Sequence, residues 1–158
     1  MSFLEEEKMK IILPLIMLIS FFIPWVYANY DGASIMIFGF GRGRVSILGF
    51  SVWGWMWDGG SSIYYLGLIA LILTIIYFLF ELRDYIPALQ VPNAEMISLG
   101  TGGLAFLFGL IYGIKAISDI EGATPIPIGF IIFLIVAILS LLPKIKTLTG
   151  AGAATTTV

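Results

Sequence analysis

Four stretches of the chain are apolar over the length of a bilayer crossing, and each is bounded by polar or glycine-rich positions. They are "IILPLIMLISFFIPWVY" (residues 11–27), "SIYYLGLIALILTIIYFLF" (62–80), "MISLGTGGLAFLFGLIYGI" (96–114) and "PIGFIIFLIVAILSLL" (127–142). A helical crossing takes about 20 mostly apolar residues. None of the four carries a charge in its interior. The connections are short apart from the one after the first run. This pattern predicts an all-α membrane fold, an antiparallel four-transmembrane-helix bundle forming a single domain over residues 1–158.

A fifth apolar stretch, "SIMIFGFGRGRVSILGFSVWGWMW" (34–57), has a different pattern. Glycines and the charges of Arg42 and Arg44 cut it into two parts, each too short to cross as a helix. Placing both arginines at mid-bilayer would cost about 2.5–3.5 kcal/mol each. "SIMIF" and "VSIL" are rich in residues that favour a pleated surface. The prediction is a β-hairpin or small β-sheet within an extracytoplasmic loop, residues 28–61. Its strands would be 34–40 and 44–52, with "GRGR" as the turn and Arg42 and Arg44 at the tip. Both faces are apolar, so such a hairpin must lie on the bundle, dip into the interface or pair with another chain.

The first run has a rival reading. "VYA" before Asn29 suits signal-peptidase cleavage, but "MSFLEEEKMK" carries three glutamates where a signal peptide starts positive. A retained span is therefore expected.

Composition agrees with a lipid solvent. The 158 residues are 59% hydrophobic and 11% charged, against roughly 25% charged in soluble domains. The net charge of −2, without a basic patch, argues against a nucleic-acid partner. With no cysteine and no histidine, disulfides, Cys/His zinc sites and a cysteine nucleophile are excluded. No P-loop, G-x-S-x-G or HExxH motif is present. No enzyme activity and no cofactor are expected.

Charge sets the expected orientation. Lys8, Lys10, Arg83, Lys144 and Lys146 fall on the side of the termini, and Arg42, Arg44 and Lys115 on the other. The positive-inside rule then puts both termini in the cytoplasm of a multi-pass plasma-membrane protein. Trp25, Tyr27, Tyr30, Tyr64 and Tyr65 fall at the outer boundary, where interfacial anchors are expected. Trp53, Trp55 and Trp57 alternate and would share one strand face, as a contact platform or a further anchor. With Arg42 and Arg44 they make the candidate outer contact surface. The arginines would meet lipid phosphate or a neighbour's acids, or simply keep the turn solvated.

Gly102, Ala105, Gly109 and Gly113 lie on one helical stripe, and Gly67, Ala70 and Thr74 on a matching one. Small residues let helix backbones approach closely, within one bundle or between copies. The segment "TLTGAGAATTTV" (147–158) reads as a flexible tail.

The layout, with the tryptophans of "FSVWGWMW" in a β-rich first outer loop, resembles the claudin-like tetraspan group, although this chain lacks that group's loop cysteines. It is also similar to small prokaryotic four-span proteins with "FIPW"-like residues before a glycine-rich loop. The expected role is that of a non-enzymatic membrane protein acting by self-association, or as an accessory subunit of a membrane assembly, through its outer hairpin and small-residue helix faces. The alternatives are a pore or small-molecule transporter, and a membrane-embedded enzyme acting on lipid.

Overall fold

The computed structural model describes residues 3–30, 32–55, 62–120 and 124–148. Trp57 and residues 149–158 of the tail lie outside these. The first apolar run does not stay helical to its end. Helix α1 covers Phe3–Ser20 and stops before "FFIPW". Pro24 has no N–H for a helical ladder, and the residues after it favour a strand. They form β1, Pro24–Tyr30. The N–H groups of Phe21, Phe22 and Ile23 reach back to the carbonyls of Leu18, Ile19 and Ser20, closing the helix with a tighter turn. Trp25 then folds back, and its Nε1–H donates to the Ser20 carbonyl at 2.9 Å. The Ser20 carbonyl thus accepts from both the Ile23 N–H and the Trp25 indole at the end of the helix.

Three more strands follow: β2 (Ala33–Phe38), β3 (Arg42–Ile47) and β4 (Phe50–Trp55). They form an antiparallel sheet in the order β1-β2-β3-β4. The expected second hairpin arm, residues 44–52, is thus two strands. It breaks at Leu48 and Gly49, whose φ values of 49° and 86° match the two-residue turn that joins twisted strands. The turn between β2 and β3 lies at Gly39–Gly41, beginning two residues before "GRGR", with Gly41 at φ 86°. Arg42 and Arg44 are therefore strand residues of β3, not the tip of a turn.

After a short 3₁₀ turn (Ser62–Tyr64) come α2 (Tyr65–Glu81), α3 (Ala94–Ser118) and α4 (Ile128–Leu148). The helices touch in the cyclic order α1–α2–α3–α4. The all-α prediction of four transmembrane helices does not hold. The architecture mixes four helices with a four-stranded sheet, and among the described residues two helices, α3 and α4, are long and apolar enough to cross a membrane. Helix α2 has 17 residues, about 25 Å against a hydrocarbon core of about 30 Å. Helix α1 loses the residues after Ser20 to β1, and its first turns carry Glu5, Glu6, Glu7, Lys8 and Lys10.

The sheet caps the helix ends where α1 and α3 finish and α2 and α4 begin. Strand β1 packs on α3 and α4, and Tyr27 exchanges both backbone hydrogen bonds with Ile126 just before α4. The turn at Gly39–Gly41 rests on α2 at Gly67, where an added Cβ would lie 2.6 Å from the Gly39 carbonyl oxygen. Strand β4 is exposed along its whole length. The core is aromatic. Fully buried Trp25 meets Phe21, Tyr112, Phe130 and Phe133 at centroid distances of 5.1, 5.5, 5.4 and 4.8 Å.

Candidate functional site

Side chains alternate along a strand, so Arg42 and Arg44 share one face of β3. The register places Arg42 opposite Trp55 and Arg44 opposite Trp53 on β4. Both guanidinium groups lie over indole rings. Arg42 is 5.2 Å from the Trp53 centroid and 5.8 Å from that of Trp55, and Arg44 is 5.5 Å from Trp53. Such stacking suits a delocalised, weakly hydrated cation. The rings continue inward. Trp53 stacks on Phe38 at 5.6 Å, Phe38 on Phe40 at 5.8 Å, and Phe40 meets Phe22 at 5.7 Å, at the end of α1.

Arg44 donates through Nη2 to Ser51 Oγ at 2.8 Å, while its Nε is buried and has no acceptor. Among the described residues neither arginine contacts a carboxylate; the two ion pairs present lie elsewhere. Two guanidinium groups side by side make this face suited to an anion. Ile37, Val45, Val52 and Gly54 of the opposite face, together with Arg44 and Trp55, line a groove of about 600 Å³ that reaches Asp119 and Ile120 past the end of α3.

A clasp ties the sheet end of the helices together. Tyr64 and Lys115 both donate to Asp119, and the Tyr112 hydroxyl donates to the Phe38 carbonyl at 2.6 Å. Burial alone would raise the Asp119 carboxyl, but the hydrogen bonds from Lys115 and Tyr64, and the Lys115 charge, hold it below its usual range.

A second polar cluster sits at the other end. Glu81 closes α2 and accepts from Ser98 of α3 and from Lys144 of α4. The Glu81 side chain is 4% exposed and that of Lys144 16%. Lys144 also lies 4.8 Å from the Tyr77 ring, and the Tyr77 and Ser140 hydroxyls are hydrogen-bonded at 2.6 Å. Glu81 is not among the positions that the sequence singles out, although it anchors this knot. The available signal was opposite charge at matching ends of antiparallel apolar runs.

The other predicted positions fall as follows. Gly102, Ala105, Gly109, Gly113, Gly67 and Ala70 are all buried. Gly102 faces Leu141 and Tyr77, Gly109 faces Phe133, and Gly113 faces Phe130. These stripes are filled by the chain's own side chains and offer nothing to a second copy. Of the expected anchors, Trp25 is completely buried and Tyr64 is 4% exposed, so both belong to the interior, whereas Tyr30 and Tyr65 are exposed. Tyr27 is half-buried, with its hydroxyl donating to Asn29 at 2.9 Å. Among the described residues no cluster of acidic side chains could hold a metal ion.

Comparisons with known protein families, with curated proteins and with solved structures find no match to this chain.

Proposed function

We propose that this chain is a non-enzymatic integral membrane protein that assembles laterally with further copies of itself through the free edge of its sheet. The observation that carries the reading is β4. No strand pairs with its outer edge among the described residues, and it has no charge or proline to protect that edge. Large apolar side chains surround it: Leu48 is 86% exposed, Phe50 81% and Val52 70%. Leu48 also holds a positive φ that leucine disfavours, so the apolar tip is kept despite a strained backbone. An edge row of backbone N–H and C=O groups is a template for another strand, and a second β4 fits it, because antiparallel edge pairing is self-complementary.

Membrane embedding is supported by the outward faces of α3 and α4. Small residues of α3 face inward, and Leu104, Leu107 and Ile111 of α3 and Ile131, Ile135 and Ile138 of α4 are exposed. A bilayer is the solvent in which that arrangement is stable. The helix ends bearing Lys8, Lys10, Arg83 and Lys146 face the cytoplasm of the plasma membrane in this reading.

The chain has no cysteine, so single-cysteine variants give a clean test. Val52→Cys in bilayer nanodiscs or native membranes is expected to yield a dimer with a short bifunctional maleimide. Ile72→Cys, on the exposed face of α2, is expected to stay monomeric. Strictly monomeric protein in the bilayer, or equal cross-linking at both positions, overturns the reading.

A further inference from the structure

We infer that the Arg42–Arg44 face of the sheet binds the phosphate of an anionic phospholipid, with the aromatic ladder beneath it receiving the lipid's apolar part. The inference rests on the membrane reading above and adds a ligand to it. It does not use the β4 edge.

Three observations converge. The first is charge. Two guanidinium groups share one face of β3, two positions apart, and neither meets a carboxylate among the described residues. The second is an incompletely used donor set. Arg44 spends one nitrogen on Ser51, and its buried Nε has no acceptor among the described residues, so the fork is not saturated by the fold itself. A phosphate oxygen is the acceptor that the planar fork of arginine fits best.

The third observation selects among sources of phosphate. From Trp53 the rings run through Phe38 and Phe40 to Phe22, which is 60% exposed at the end of α1. Cations thus stand at one end of a continuous apolar strip that descends to the helices. Free phosphate or an acidic peptide would use the cations and leave the strip bare. A glycerophospholipid matches both, with its headgroup on the arginines and an acyl chain along the rings. The sheet also caps the helix ends, which is headgroup level for a bilayer-embedded α3 and α4.

The test uses the whole chain in nanodiscs and reads quenching of tryptophan fluorescence by brominated lipid, phosphatidylglycerol against phosphatidylcholine at equal bromine content. A basic residue near an anionic surface contributes about a fivefold gain in association, so two give a preference of roughly thirtyfold for phosphatidylglycerol. Arg42→Gln and Arg44→Gln should each lose about fivefold of it, and the double variant all of it. Inorganic phosphate, or glycerol phosphate, at the same headgroup concentration should not displace the lipid. Equal quenching by the two lipids, or a preference that survives in the double variant, overturns the inference. So does displacement by inorganic phosphate, which would assign the face to a free anion. Failure of the membrane reading looks different: the wild-type chain would then stay folded in detergent-free buffer and not float with phosphatidylcholine vesicles.

Discussion

The molecule carries two groups of basic side chains at opposite ends of its helices, and it treats them in opposite ways. Lys144 is turned inward, paired with Glu81, hydrogen-bonded to Ser98 and laid over Tyr77. Arg42 and Arg44 are turned outward over Trp53 and Trp55, with no acid paired to them among the described residues. A charge in apolar surroundings must be paired or left at a boundary. The buried pair ties α2, α3 and α4 into one unit, so its effect is on stability. The arginines lie at the surface of the sheet and are the groups to which the lipid inference assigns a ligand.

Breaking the knot should have the largest effect. Lys144→Met strands a carboxylate that is 4% exposed, and unfolding in detergent should show a loss of about 3–5 kcal/mol. Adding Glu81→Leu to that variant should restore most of the loss, because the orphaned charge is gone. If the single variant is as stable as the wild type, the pair is not the tie described here.

The joint between sheet and helices should come next. A methyl group at Gly67 would press on the Gly39 carbonyl at 2.6 Å. Gly67→Ala should therefore cost about 1–3 kcal/mol by overpacking. Gly103→Ala, with nothing within 4 Å, should be neutral or gain up to about 1 kcal/mol from helix propensity. Thermal denaturation of the two side by side checks the contrast.

The Asp119 clasp should matter less, and only through pH. Its carboxyl is held below the usual range, so the stability it contributes is present above the unfolded value and lost as pH falls through the folded one. Melting curves of the wild type should thus fall faster than those of Asp119→Asn as pH drops below about 4. At neutral pH, Asp119→Asn should cost about 1 kcal/mol, because the pair is partly exposed.

The smallest effect sharpens the contrast most. Arg42→Gln with Arg44→Gln should leave stability within about 0.5 kcal/mol, in keeping with surface positions, while changing lipid preference. A large loss of stability in that variant would make the two basic groups alike.

The apolar runs that became α2, α3 and α4 were legible because long apolarity without interruption is a local property of the chain. The presence of β structure after the first run was legible too, from glycine, arginine and β-branched residues. The strand count was not. Glycines at 39, 41, 43, 49 and 54 permit several turns, and the choice of Gly39–Gly41 depends on its seat against Gly67 of α2. Trp25 shows the same limit. By position it reads as an interfacial ring. It is buried because the Ser20 carbonyl accepts its N–H, and because Gly39, Gly109 and Gly129 leave room where any Cβ would lie within 3.3 Å of the indole.

By itself, then, the sequence determined where the chain is apolar, which chemistry it lacks, and that β structure follows the first apolar run. Those are properties of residue types and short spacings. Tertiary structure alone decided that the first run would split into a helix and a strand. It also decided that the small-residue stripes would be filled from within and that Lys144 would find Glu81. Each of these depends on partners more than fifty residues apart, or on the shape of a neighbouring surface, and no local pattern encodes them.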